Sequence, residues 1–383
     1  MVDDEWAVEA KNLPPLQSLQ VEQLGTASSP SPLIQRDQRF ANEAQRVLLS
    51  PFANHLERRL TRNEDLSSFE PAGPRRDLYF QPERVSCGIV TCGGLCPGLN
   101  DVIRSIVLTL THGYGVRRIL GFRYGYAGMS SQRHEDPMFL EPDQLKQIHQ
   151  HGGTILGSSR GPQDLGDMVD TLLRWKVNVL FTVGGDGTLR GASALWEEIK
   201  KRGIKISIIG VPKTIDNDLA CTDHCPGYGS AARFLALAAR DTGRDLEAMA
   251  TFDDVTILEA MGRNAGWLAA ASVLGKETED EAPHLVYVPE VPFDEGRFLD
   301  DVSRIHDRLR RVFVVVSEGI RDAEGHFIGH EELPHGDSDT FGHVVHSLTT
   351  GVAAYLTGRV HDRLGLQARF LRPGLIGRAM SSC

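Results

Sequence analysis

Three short apolar runs, each ending in a glycine-rich polar loop and then a helical pattern, constrain the fold of this chain more than any other feature. Val85 to Val90 ends in Thr91-Cys92-Gly93-Gly94, and Asn100 to Leu110 after it has helical spacing. Asn178 to Val183 ends in Gly184-Gly185-Asp186-Gly187, with a helix expected over Ala192 to Lys201. Lys205 to Val211 runs into Pro212-Lys213-Thr214-Ile215-Asp216-Asn217-Asp218. Unbroken apolar runs belong to strands covered on both faces, and strand–loop–helix repetition gives a parallel sheet between helical layers. Ligands of such sheets lie at the carboxyl ends of the strands, where all three loops fall.

The pattern recurs downstream. Asp254 to Leu258 reads as a strand, and Met261-Gly262-Arg263-Asn264 opens a helix through Leu274. His284 to Val288 and Arg311 to Val316 read as further strands. Thr340 to Thr357 carries Phe341, Val344, Val345, Leu348, Val352 and Leu356 on one stripe, as an amphipathic helix does. The fold class is therefore α/β: two Rossmann-like three-layer domains with mostly parallel sheets, over 85–232 and 233–383. Residues 1–84 form an extension punctuated by Pro14, Pro15, Pro30, Pro32, Pro71 and Pro74. Arg39 to Leu60 within it has near-helical apolar spacing, and the extension either packs on the main body or is a solvated arm.

Charge and cysteine usage narrow the function. A net charge of −10 argues against nucleic acid and anionic membranes as partners, so any phosphate must be held by local groups. No run of 18 apolar residues is present, so no membrane span is expected. The acidic start Met1-Val2-Asp3-Asp4-Glu5 does not read as a secretory leader. Six cysteines at 87, 92, 96, 221, 225 and 383 form no disulfide framework, which fits a reducing cytoplasm. Cys221, His224 and Cys225 lack a second half-site for zinc and read as a loop with free thiols.

The loops carry recognisable chemistry. In Gly93-Gly94-Leu95-Cys96-Pro97-Gly98 the glycines let backbone N–H groups approach a phosphate, although a plain tight turn has the same composition. In Gly184-Gly185-Asp186-Gly187-Thr188 a carboxylate at the sheet edge can hold magnesium beside nucleotide phosphates. Asp216 and Asp218 can divide the work of proton acceptor and orienting group. Arg160, in Gly157-Ser158-Ser159-Arg160-Gly161, and Arg263 present planar forks suited to phosphoryl oxygens. Glu318, in Ser317-Glu318-Gly319, can accept from sugar hydroxyls.

Taken in order, GGLCPGLNDVIR, GGTILGSSRG, GGDGT, PKTIDND, EAMGRNAGW, SEG and DTFGH resemble the 6-phosphofructokinase family over residues 72 to 383. With AGPRRDLYF upstream, the wording is similar to the branch found in plants, kinetoplastids and some bacteria. The resemblance implies the phosphofructokinase fold, with a nucleotide domain over 85–232 and a sugar-phosphate domain over 233–383. It implies transfer of the ATP γ-phosphoryl to the 1-hydroxyl of fructose 6-phosphate, in a homodimer or homotetramer. Gly94, Arg160, Gly161, Gly185, Asp186, Gly187 and Thr188 would bind the nucleotide, with Asp186 on Mg²⁺. Asp216 would be the general base, with Lys213, Thr214, Ile215 and Asp218 beside it. Met261, Gly262, Arg263, Glu318, Arg369 and Arg378 would bind the sugar phosphate.

The donor turns on one pair. Pyrophosphate users of the family commonly carry Asp where this chain has Gly187, and a carboxylate there would repel an α-phosphate. Lys213 points toward pyrophosphate, although Gly187 with Lys213 also resembles ATP users of the branch. The chain departs from the family at Leu375, where a histidine is common. It departs again at Asp254, where short bacterial members place an arginine that reaches a neighbouring subunit. It is also expected to be truncated after Cys383, since family members continue with further helices. The rivals are a pyrophosphate-dependent enzyme, a NAD or lipid kinase sharing GGDGT, and a non-catalytic subunit of the same fold.

Overall fold

The computed structural model describes residues 19, 21–36, 38–133, 135–329 and 351–382. Two sheets carry the architecture. The first has strand order β3-β2-β1-β4-β5, from β1 (Ser86–Thr91), β2 (Arg118–Phe122), β3 (Met138–Phe139), β4 (Val179–Gly184) and β5 (Ser207–Pro212). All pairings are parallel except that of β3 with β2. Helices α1 (Leu99–Leu108), α2 (Leu165–Arg174) and α3 (Asp186–Lys201) are the crossovers, and α4 (Tyr228–Ala248) leads to the second sheet.

That sheet is wholly parallel, with order β7-β8-β6-β9, from β6 (Val255–Ala260), β7 (Leu285–Tyr287), β8 (Val312–Ser317) and β9 (Ala368–Leu371). Between these strands run α5 (Trp267–Ala271), α6 (Glu295–Leu309) and α7 (Val352–Leu364), and α8 (Gly374–Ala379) follows β9.

Side-chain alternation along the strands builds three layers in each half. Cys87 and Ile89 of β1 point toward α1 and α4, whereas Val90 joins Met168 and Leu172 of α2 and Leu195 and Ile199 of α3. In β8, Phe313 and Val315 face α4 and α5, while Val312, Val314 and Val316 meet Phe298 and Val302 of α6 and Leu356 and Val360 of α7. One apolar cluster runs from the first sheet through α4 to the second, so both sets of strand ends are held in fixed relation. Both sheets are thus sandwiched by helices, as the apolar runs implied. Among the described residues no helix is long and apolar enough to cross a membrane.

Several boundaries differ from expectation. Of the helix expected over Arg39 to Leu60 only the part within Ala53–Thr61 forms, because Pro51 disfavours a helical residue before it and Val47–Leu48 instead pairs with Ser68–Phe69. Part of this extension docks on the body: Lys200 meets Glu22 at 3.0 Å, and Lys205 Nζ donates to Leu24 O at 2.9 Å. Helix α3 begins at Asp186, six residues earlier than its apolar pattern suggests. No helix opens at Met261; Gly262, at φ +122°, holds a loop that lasts until α5. The expected helix over Thr340 to Thr357 is described only from Gly351 onward, with Val352 and Leu356 buried in α7; the DTFGH segment lies outside the described residues.

Candidate active site

Three loops meet at the carboxyl edge of the first sheet. The segment after β1 is sewn to residues 157–159: Ser158 Oγ donates to Gly93 O at 2.6 Å, Thr91 Oγ1 to Gly157 O at 2.6 Å, and Gly93 N to Ser159 O at 3.1 Å. A Cβ built on Gly94 would lie 3.8 Å from Arg160 Nη2, so that guanidinium stands over the Gly93-Gly94 turn. Asn100, buried at the start of α1, accepts from Ile155 N at 2.9 Å and donates to His151 O at 3.0 Å, which fixes the approach to the Arg160 loop. A Cβ on Gly93 would come within 3.6 Å of Thr188 Oγ1 and 4.0 Å of Lys213 Nζ.

Lys213 ties this edge together. It is 3 % exposed, and its ammonium donates to Gly94 O. Burial pushes its pKa below the usual lysine value, and Arg160 adds to that, while Asp216 opposes it. Gly185 alone links β4 to α3 and passes close to Lys213 O and the Thr214 Cβ. Asp186 therefore stands in the first turn of α3, where the helix dipole favours a carboxylate. Its carboxylate meets Arg190 of the next turn at 2.8 Å.

The loop after β5 is built around Asn217, which takes a left-handed conformation at φ +54°. Its buried amide accepts from Cys225 N at 2.7 Å and donates to Asp223 O at 3.2 Å, so Asp216 and Asp218 on either side have fixed directions. Thr214 Oγ1 accepts from Asp216 N at 3.2 Å and donates to Asp218 Oδ1 at 3.1 Å. Asp216 Oδ1 is buried with no hydrogen-bond partner.

The second half of the chain faces that carboxylate. Glu318 N donates to Ala260 O at 2.9 Å, and Ser317, fully buried, donates its hydroxyl to Gly262 O. These bonds lock the Met261–Arg263 turn against Ser317–Gly319. The Asp216 pKa is raised from 3.8 to about 7, by burial first and then by Glu318 and Asp218, with Arg263 and Lys213 opposing them. Desolvation likewise raises the Glu318 carboxyl, against the pull of Arg263. Groups from both halves of the chain thus act on one carboxylate whose ionisation falls near neutrality, the poise of a general base. If ionised Asp216 is the active form, kcat/KM for the acceptor rises with pH through a midpoint near 7. Replacing Glu318 by Gln moves that midpoint to lower pH, as initial-rate profiles would record.

Arg369 does not belong to this constellation. It pairs with Thr256 in the register of β9 against β6, near the amino ends of the strands. There it meets Asp253 at 3.0 Å and also Asp245, two carboxylates that fix it away from the carboxyl edge. The basic group at the edge is Arg372, directly after β9, whose Nε meets the buried Glu259 at 2.8 Å. Within Ala368-Arg369-Phe370-Leu371-Arg372 nothing local sets it apart from Arg369; the register of β9 against β6 does. Arg378 lies on α8, whose Gly374 and Gly377 pack on Met261 and Phe234 around a cavity of about 20 Å³ that Ile215 also lines. Asp254 accepts from Gln367 N at 2.8 Å and meets His306 at 3.2 Å, so it serves the sheet's amino edge. Among the described residues no group of three or more His, Cys, Asp or Glu side chains forms a metal cluster.

The profile described as Phosphofructokinase matches residues 86–383. The chain belongs to the phosphofructokinase family. It is 43% identical over 314 residues to an ATP-dependent 6-phosphofructokinase of Amycolatopsis methanolica, covering 79% of this chain and 67% of that one. To the ATP-dependent 6-phosphofructokinase of Trypanosoma cruzi it is 43% identical, over 68% of this chain and 53% of the other. Among solved structures, a pyrophosphate-dependent phosphofructokinase from Marinobacter aquaeolei superposes with a TM-score of 0.64 at 26% identity, covering 77% of this chain and 69% of that one. The chain spans between about half and two thirds of the length of these two curated relatives. Bacterial and kinetoplastid relatives together agree with the branch that the wording of the motifs pointed to.

Proposed function

We propose that this chain transfers the γ-phosphoryl group of ATP to the 1-hydroxyl of fructose 6-phosphate, giving fructose 1,6-bisphosphate. The observation that carries this reading is the unpartnered, buried Oδ1 of Asp216, set between a phosphate-suited edge on one side and Arg263 with Glu318 on the other. Asp216 takes the hydroxyl proton as the oxygen attacks the γ-phosphorus and the bond to the β-bridging oxygen breaks. Arg160 lies against the transferred group and offsets its charge. Thr214 and Asp218 hold the base in place, and Lys213 keeps the Gly94 turn open toward the phosphates. Gly161, Gly185, Gly187 and Thr188 line the nucleotide tail. Met261, Gly262, Arg263 and Glu318 hold the sugar, and Arg378 assists from α8.

Asp186 suits a magnesium ion: its carboxylate is more than half exposed, and this ion takes most of its shell from phosphates and water. Bound there, the ion would neutralise charge on the phosphates.

ATP is favoured over pyrophosphate by Gly187 and by the ATP-dependent relatives at 43% identity, whereas the pyrophosphate-dependent neighbour stands at 26%. In this reading 85–232 is the nucleotide domain and 233–383 the sugar-phosphate domain, and the chain works in the cytoplasm as a homodimer or homotetramer. Side-by-side initial rates with ATP and pyrophosphate test the donor. Turnover with ATP should exceed that with pyrophosphate at least about tenfold, and Gly187→Asp should abolish the preference. Turnover with pyrophosphate alone would refute the donor assignment.

A further inference from the structure

The nucleotide assignment leaves Arg190 without a role, and Arg190 is the cation nearest the proposed metal ligand. It lies one turn below Asp186 on α3, with its Nη2 at 2.8 Å from the Asp186 Oδ2. It is also three residues beyond Gly187, and side chains at this spacing share one helix face. Two contacts seat the helix in this position. Tyr126 donates its hydroxyl to Thr188 O at 2.8 Å, and a Cβ on Gly191 would meet the Tyr126 ring at 2.8 Å. The Asp186–Arg190 pair is about half exposed on both sides, and ion pairs so placed are weak and open readily.

Resting on the ATP reading above, we propose that Arg190 is an exchange partner for the donor: it neutralises Asp186 in the empty site and grips the nucleotide's phosphate tail once a metal takes that carboxylate. A guanidinium can trade one carboxylate for a pair of phosphate oxygens with little change in geometry. While closed, the pair also competes weakly with a divalent cation for Asp186 in the absence of nucleotide. It is a positioning and binding residue for the donor and takes no part in the proton transfer.

The test is calorimetric titration of the whole chain with the magnesium complex of β,γ-imido-ATP, alongside Mn²⁺ binding without nucleotide followed by electron paramagnetic resonance. Arg190→Gln should weaken the imido-ATP complex about tenfold, the size of one lost charge-assisted contact, and Arg190→Lys should recover part of it. Mn²⁺ alone should bind Arg190→Gln at least as well as wild type, because a competing cation is gone. Imido-ATP affinity within twofold of wild type in Arg190→Gln would overturn the proposal. So would loss of Mn²⁺ binding in that variant, which would make Arg190 a mere prop for Asp186. A wild-type chain that takes up no imido-ATP removes the donor reading and this inference with it.

Discussion

Asp216→Asn is expected to lower kcat by about 10²- to 10⁴-fold, the range for loss of a positioned general base, while making the protein more stable at alkaline pH. The two effects share one cause. Asp216 Oδ1 is buried without a partner, and the group ionises near pH 7 instead of 3.8. A carboxyl whose pKa is raised on folding favours the folded state while protonated. Its contribution is intact below about pH 4 and is lost as pH climbs through about 7. The separation of about three pH units corresponds to at most about 4 kcal/mol of destabilisation in wild type above neutrality. The amide carries no charge, so the variant should outlast wild type in denaturant at pH 8 and match it near pH 4. Near-normal turnover would remove Asp216 from the chemistry; a stability difference independent of pH would show that its burial imposes no strain.

Gly319→Ala should do more damage than any other single methyl group near the site. A Cβ there would sit 1.7 Å from Arg263 O and 2.4 Å from its carbonyl carbon, both backbone atoms that no rotamer change can move. The Met261–Arg263 turn would have to part from Ser317–Gly319, separating Arg263 from Glu318. The expected cost is about 2–4 kcal/mol of stability, in the range of an overpacked core. The acceptor KM should rise roughly 10- to 100-fold, since losing one or two charge-assisted contacts has this effect. Gly358→Ala is the control: it lies inside α7 with open space around it, and should leave turnover alone and stabilise slightly. Thermal unfolding and acceptor-saturation curves on both variants separate the outcomes. Wild-type behaviour in Gly319→Ala would show that the two turns need not touch.

How far the sequence revealed this follows from where the information lies. The apolar runs of β1, β6 and β8 are buried on both faces and that of β4 largely so, which made their character visible without knowing their neighbours; β5, at the sheet edge, is only half-buried, with Ile209 exposed, and was legible from its apolar composition alone. The loop after β4 was equally plain, because a carboxylate between glycines at a strand end has few structural uses, whereas the segment after β6 reads in sequence as the start of a helix. What escaped depended on tertiary partners. Strand β2 contains Gly121, against which Leu156 packs, and its own pattern is too short and mixed to stand out. Arg369 and Arg372 differ only in which carboxylates they find, Asp245 and Asp253 at one end of the sheet and Glu259 at the other. Their separation emerges only once β9 is registered against β6. The roles of Asn100 and Asn217 are of the same kind, since each satisfies backbone groups of distant loops and nothing in its immediate sequence announces it.

The central claim is geometric: Asp216 shares one cleft with Arg263 and Glu318, within reach of the loop carrying Arg160. A crystal structure of the chain with fructose 6-phosphate and the magnesium complex of β,γ-imido-ATP addresses it directly. The acceptor's 1-hydroxyl should lie about 3 Å from Asp216 Oδ1, with the analogue's terminal phosphorus on the far side of that oxygen and Arg160 against its phosphoryl group. A sugar bound with its 1-hydroxyl away from Asp216, or a nucleotide seated off the Gly93 and Gly185 turns, would contradict it.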